Sequence, residues 1–371
     1  MQECGLSGRK PLLPYVVLLP IVMAVGHGVQ RKNNRQGVDH MKRFVLGLLA
    51  AAAMSVPAFA ADVKPAIIYD LGGKFDKSFN EAAFNGAEKF KTESGIEYRD
   101  FEIQNDAQRE QALRKFAEDG NNPIVVLGFA YADALTAVAK DFPKTNFAIV
   151  DMVVDSPNVA SYVYKEDEGS YLVGLLAAKT SKTGTVGFIG GMDIPLIRKF
   201  GCGYAQGAKA GNPAVKIVQN MTGTTPAAWN DPGRGSELAK AQIAQGADVV
   251  YAAAGATGTG VLQAAADSNK LGIGVDSNQN GLYPGKVLTS MLKRVDEATY
   301  QAFKTGAAGA FKSGVNVLGL KEGGVDYAVD DNNKPLLTAD AKAAVDAAKA
   351  DIIAGKIQVH DYMSDNKCPV E

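Results

Sequence analysis

The chain has 371 residues, 46% of them hydrophobic and 21% charged, which excludes a disordered polymer and leaves room for two domains of ordinary size. A formal net charge of −1 leaves no polybasic footprint, so nucleic acid is not an expected partner. Three histidines and three cysteines are too few, and too scattered, for the usual zinc spacings.

Two apolar stretches precede the first strand. Residues 11–26 are broken by Pro14 and Pro20 and followed by a polar run to His40. A complete export signal then starts at Met41: Lys42 and Arg43, an apolar core over 44–53, and Ala58-Phe59-Ala60 as the cleavage site. The apolar core is shorter than the ~20 residues of a bilayer span. The expectation is a signal peptide removed after Ala60, with residues 1–40 reflecting a start codon set too early or, alternatively, an N-terminal anchor. Residues 1–60 carry seven Lys/Arg and two Asp/Glu, so the remainder holds 32 and 38 and a net charge of −6. No cysteine sits at the cleavage point, so a free periplasmic protein is expected rather than a lipid-anchored one. Cys202 and Cys368 remain; an oxidising compartment permits their pairing, but sequence does not show whether their Cα atoms approach.

From residue 66 onward short apolar runs alternate with helical stretches. Strands are predicted at 66–70, 98–103, 123–127 and 146–150, with helices at 78–90, 107–119 and 130–140 between them. The pattern restarts with a helix at 168–180. Strands follow at 185–189, 216–219, 248–252 and 272–275, with helices at 195–210, 233–245 and 258–267. The last third reads as strand 287–292, helix 296–311, strand 324–329 and an alanine-rich helix at 339–354. Alternation of this kind implies an α/β fold with two successive parallel sheets, each covered on both faces. A chain that returns to both sheets implies a hinge with several crossings.

Past residue 60 the one histidine is His360, so a Ser-His-Asp or Cys-His arrangement has little to draw on. No phosphate-cradling G-x-x-x-x-G-K-[ST] loop occurs. No cofactor and no catalysis are expected. The positive signals fall at predicted strand C-termini, where open α/β sheets bind ligands. Asp70 ends the first strand, before Gly72-Gly73 and the run Phe75-Asp76-Lys77-Ser78-Phe79-Asn80. Asp76 or Ser78 caps the next helix, and Phe79 either stacks on a planar ring or packs beneath the loop. Asp151 follows Val150 and either accepts hydroxyl hydrogen bonds or caps a turn. Trp229, the one tryptophan, lies in a polar loop and serves as a ring-stacking wall or as packing. Gly255-Ala256-Thr257-Gly258 opens a helix whose free N–H groups can hold ligand oxygens. Asp276 and Lys293 each end a strand and form either an acid–base pair around a polar ligand or a hinge salt bridge.

Taken in order, Asp70, Phe75-Asp76-Lys77-Ser78-Phe79-Asn80, Val150-Asp151, Trp229-Asn230-Asp231-Pro232, Gly255-Ala256-Thr257-Gly258 and Gly274-Val275-Asp276 resemble the basic membrane protein family, the PnrA-like nucleoside-binding components of ABC transporters. The similarity spans about residues 63–360. It implies a type I periplasmic-binding-protein fold: two Rossmann-like lobes joined by a multi-crossing hinge, lobe 1 from 63–164 and 294–313, lobe 2 from 165–293 and 314–371. It also implies a monomer that binds a nucleoside, a purine favoured, and hands it to permease subunits in the inner membrane. Carried over by motif, Phe79 and Trp229 sandwich the base, while Asp70, Ser78, Asn80, Asp151, Gly255, Asp276 and Lys293 take the polar positions. The tryptophan stands where relatives often have phenylalanine. A sugar-, polyol- or autoinducer-binding protein of the same fold, and a nucleoside hydrolase, are the competing readings.

Overall fold

In the computed structural model, which describes residues 63–370, the elements run β1 (Ala66–Tyr69), α1 (Phe79–Ser94), β2 (Arg99–Glu102), α2 (Gln108–Glu118), β3 (Ile124–Leu127), α3 (Ala132–Asp141), β4 (Phe147–Val150) and β5 (Val159–Tyr164). They continue as α4 (Glu166–Thr180), β6 (Thr185–Met192), α5 (Pro195–Gly211), β7 (Lys216–Gly223), α6 (Pro232–Ala244), β8 (Val249–Ala253), α7 (Thr257–Asp267), β9 (Leu271–Asp276) and β10 (Val287–Lys293). The chain ends with α8 (Val295–Ala307), β11 (Gly314–Leu318), β12 (Val325–Tyr327) and α9 (Ala339–Ile353). Every residue of β1, β3 and β4 is buried, as near-continuous apolar strands require when helices cover both faces.

The strands make two sheets with matching order. The first runs β2-β1-β3-β4-β5-β11 with every pair parallel. The second runs β7-β6-β8-β9-β10-β12, parallel except where β12 returns antiparallel to β10. In each, the chain reverses direction of growth beside its first strand, so the switch points lie at β1/β3 and β6/β8, where side chains beyond the strand C-termini converge on a ligand. This is the type I periplasmic-binding-protein architecture expected from the sequence.

Two strands were absent from the sequence reading. β5 follows β4 through the loop 151–158 with no helix between, although parallel neighbours usually need a longer crossover; an expectation of strict alternation misses it. β11 is an edge strand whose residues are exposed or half-buried, so it lacks the buried apolar run that marks the inner strands, and it pairs with β5 from Gly314↔Ala160 to Leu318↔Tyr164. The lobe boundary expected after residue 313 is therefore corrected: 314–318 belong to the first sheet, and the last crossing falls between Leu318 and Val325. The other two crossings lie between β5 and α4 and between β10 and α8. Backbone bonds tie the crossings together: Lys165 N–H donates to Leu318 O (3.1 Å) and Arg294 N–H to Gly324 O (2.8 Å). The Tyr164 hydroxyl donates to Arg294 O at 2.9 Å.

The C-terminal tail folds back onto α5. Cys202 and Cys368 are disulfide-bonded with Cα atoms 5.6 Å apart, which answers a question the sequence left open. Gln206 and the His360 backbone exchange two hydrogen bonds, at 3.0 and 2.9 Å, beside it. No helix among the described residues is long and apolar enough to cross a membrane. The expected signal segment at 41–60 and the stretch 1–40 lie outside the described residues.

Candidate ligand-binding cleft

A cavity of about 610 Å³, counting its open mouth, lies where the C-terminal ends of both sheets meet. Asp70, Phe79, Asn80, Asp151, Trp229, Gly255, Asp276 and Lys293 all line it. Ser78 stands just behind, its hydroxyl donating to Asp276 Oδ2 at 2.5 Å.

The lobe 1 wall is built from the D-x-S-F-N run. Asp76 is the helix cap: its carboxylate accepts from the backbone N–H of Ser78 (2.8 Å), Asn80 (3.0 Å) and Glu81 (3.1 Å). Burial nevertheless pushes its carboxyl up to about 7 against those bonds. Ser78 is thereby released from capping and faces lobe 2. Asn80 stitches the end of β1 to the following loop, accepting from Asp70 N–H and donating to the carbonyls of Asp70 and Gly73, each at 3.1 Å. Asp70 Oδ1 accepts from Arg109 Nη1 (2.6 Å) and from Leu71 N–H (2.8 Å). Its pKa is raised because burial outweighs that guanidinium. Gly128, at the end of β3, carries no Cβ because one would run into the Asp70 carboxylate, and its φ of +95° suits glycine.

Asp151 and Asp276 end β4 and β9 in left-handed backbone, with φ of 72° and 62°. Such a conformation costs about 1–2 kcal/mol and persists only where the surroundings over-determine it. The Lys293 ammonium lies 2.7 Å from Asp151 and 3.2 Å from Glu166 Oε1. Burial pushes the Asp151 carboxyl up to about 6, with Lys293 pulling the other way and Glu166 adding to the rise. Asp276 is likewise raised by burial, against Lys293 and Ser78. Lys293 is desolvated, yet the Asp151, Glu166 and Asp276 carboxylates outweigh this and hold it above its ordinary range.

Trp229 ends a 3₁₀ turn, Pro226–Trp229, in lobe 2. Buried Thr257 pins this turn, donating to Ala228 O (2.8 Å) while accepting from Asp231 N–H (2.7 Å). The indole lies across Gly191, where any side chain would displace it. Besides the bond from Ser78 to Asp276 and a longer one to Val275 O (3.4 Å), Ser277 Oγ donates to Ser78 O (2.9 Å) and Gln279 Nε2 to Lys77 O (2.9 Å), so hydrogen bonds join the lobes at the start of α1.

Sequence reasoning missed Phe129, Leu196, Ile197 and Phe200, which also line the cavity. Phe129 follows β3 at a switch point, so the strand-end rule that found Asp70 would have found it too. Phe200 lies mid-helix on α5 and carries no local signal. From behind the cavity Arg109 touches the Asp70 carboxylate and Glu166 the Lys293 ammonium; Glu166 reads in sequence only as an acidic helix start.

The arrangement offers apolar rings from both lobes and carboxylates able to accept hydroxyl protons. Lys293 is the one cation among the described residues lining the cavity. The family model for PnrA-like ABC transporter substrate-binding proteins matches residues 65–362. The ABC transporter nucleoside-binding protein BmpA of Lactococcus lactis subsp. cremoris is 34% identical over 357 residues, spanning 86% of this chain and 99% of that protein. An uncharacterised lipoprotein of Pyrococcus furiosus is 34% identical over 76% of this chain and 74% of its own length. Among solved structures, an ABC transporter solute-binding protein from Aeropyrum pernix K1 superposes with a TM-score of 0.75 at 29% identity, covering 81% of this chain and 94% of that one.

Proposed function

Because this chain belongs to the family of PnrA-like ABC transporter substrate-binding proteins, we propose that its cleft captures a nucleoside, a purine favoured, and delivers it to the transporter's permease subunits. The observation that carries this reading is the meeting of Phe79 from lobe 1 and Trp229 from lobe 2 with Asp70, Asp151, Asp276 and Lys293 around one cavity. Rings from two lobes suit a planar base, each stacking contact being worth about 1–3 kcal/mol. Carboxylates suit the ribose hydroxyls, and they disfavour a deoxygenated analogue because its absence leaves a buried acceptor unpaired. Three carboxylates against one lysine disfavour a phosphate, so the nucleoside binds more tightly than its monophosphate. The protein acts without turning its ligand over. It is exported through the segment starting at Met41 and released after Ala60, in contrast to relatives named as lipoproteins.

Calorimetry of the protein against nucleosides, free bases, pentoses and nucleoside monophosphates tests this. Nucleosides are expected to bind and to remain chemically intact by mass spectrometry after long incubation. Phe79→Ala and Trp229→Ala are each expected to weaken binding by about 1–3 kcal/mol without unfolding the protein. Ribose binding as tightly as the nucleoside, or unchanged affinity in both variants, removes the base sandwich.

A further inference from the structure

Behind the cavity lies a line of buried charge. Asp151 meets Lys293 at 2.7 Å, Lys293 meets Glu166 Oε1 at 3.2 Å, and Glu166 Oε2 meets Lys199 at 3.1 Å. Glu166 and Lys293 are 1% and 2% exposed, and Lys199 is 6% exposed. Each Glu166 oxygen faces a different ammonium, so the carboxylate is a splint between the two. The splint sits on the hinge: Glu166 opens α4 just after the first crossing, Lys293 closes β10 just before the second, and Lys199 donates to the Tyr164 carbonyl at 2.8 Å. The far end is anchored by the tail, with Lys199 3.6 Å from Asp361 and Cys202 and Gln206 holding the tail along the same helix. Both Asp151 oxygens lie 2.7 Å from the Lys293 ammonium; Oδ2 accepts its hydrogen bond, and buried Oδ1 accepts none among the described residues.

We propose that Glu166 and Lys199 are positioning residues: they hold the Lys293 ammonium at the hinge and so keep Asp151 ionised, able to accept from a ligand hydroxyl. This rests on the polar-ligand reading of the same cleft. Lys293 is faced by Asp151 from β4, Glu166 from α4 and Asp276 from β9. The rings of Phe79, Tyr164 and Phe200 lie 5.2, 5.1 and 5.5 Å from its nitrogen. Lys199 is faced by Glu166, Asp167 and Asp361. Within this set, deleting the Glu166 charge leaves Lys293 to Asp151 and Asp276, and deleting the Lys199 charge leaves Glu166 to compete with Asp151 for one cation. The two deletions therefore act on Asp151 in opposite directions, which damage to packing would not do.

The Asp151 carboxyl is titrated by NMR in the ligand-free protein labelled at aspartate, and nucleoside affinity is measured against pH in parallel. Glu166→Gln is expected to move the Asp151 midpoint down by roughly one pH unit and Lys199→Gln to move it up by a similar amount, the effect of one nearby charge. Lys199→Arg is expected to leave it in place. The double variant Glu166→Gln with Lys199→Gln removes a neutral pair and is expected to restore the wild-type midpoint, which also serves if either single variant folds poorly. Midpoints that do not move, or that move in the same direction in both single variants, overturn the proposal. Opposed midpoints in the ligand-free protein together with no nucleoside affinity at any pH uphold the splint and sink the nucleoside reading instead.

Discussion

Asp70 and Asp151 occupy equivalent places in one sheet, each just beyond the end of an inner strand and each lining the cleft, yet their charges are answered differently. Asp70 is met within its own lobe, by Arg109 at 2.6 Å and by the Leu71 N–H. Arg109 itself lies over the Tyr131 ring at 4.8 Å and is buried, so this carboxylate is oriented before lobe 2 contributes anything. Asp151 is met from the other lobe, by Lys293 at the hinge. The first wall of the cleft is thus set by one lobe's own folding, whereas the second depends on how the lobes are joined. A binding protein that works by closing needs both: a fixed surface on which to receive a ligand, and one whose electrostatics report the arrangement of the lobes.

The sharpest way to break this contrast is to remove each cation. Lys293→Met leaves Asp151 and Glu166 buried with a common partner missing, and is expected to cost about 3–5 kcal/mol of stability at neutral pH. Arg109→Met strands Asp70 alone, so a smaller loss is expected in denaturant titrations of the two variants side by side. Equal losses would show that the cross-lobe cation holds no more than the local one.

A second test is pH. The Asp151 carboxyl, raised by burial to about 6 from an ordinary 3.8, holds its proton more tightly folded than unfolded. Taken by itself it therefore makes the fold less stable as pH climbs from about 4 to about 6. Ligand affinity runs the other way, because the ionised form accepts the hydroxyls. Affinity is expected to fall by up to about tenfold per pH unit below pH 6, read by calorimetry with a nucleoside whose base does not titrate in that range. A flat profile between pH 5 and pH 7.5 would detach Asp151 from the ligand.

The smallest expected effect is at Ser78. Its hydroxyl reaches Asp276 across the lobes, and Ser78→Ala is expected to weaken ligand binding by about 0.5–1.5 kcal/mol, the worth of one ordinary hydrogen bond. Stability in the absence of ligand should change little. If Ser78→Ala instead matched Asp276→Asn in its effect, direct contact of Ser78 with the ligand would be the better account.

Much of the fold was legible in the chain, since apolar runs such as Ala66-Ile67-Ile68-Tyr69 can only be strands buried on both faces, and the residues just past such strands converge by topology. Asp70, Asp151, Gly255, Asp276 and Lys293 were reachable by that rule alone, because position along a strand is a local property. The same rule fails for Phe200 and Lys199, which lie inside a helix with nothing in their neighbourhood to distinguish core, cavity and ion pair. It fails for β5 and β11 because sheet membership there is decided by pairing partners remote in sequence. Ser78 is the intermediate case. Sequence places it at a helix start, where capping and contact are equally good uses of a hydroxyl, and only the packing of Asp76 under the α1 N-terminus frees it for the other lobe. The chain by itself thus determined two α/β lobes and the strand ends that frame a cleft. The tertiary structure decided which charge meets which, because ion pairing depends on distances of a few ångströms between segments that are not neighbours in sequence, 39 residues apart for Asp70 and Arg109 and 142 for Asp151 and Lys293.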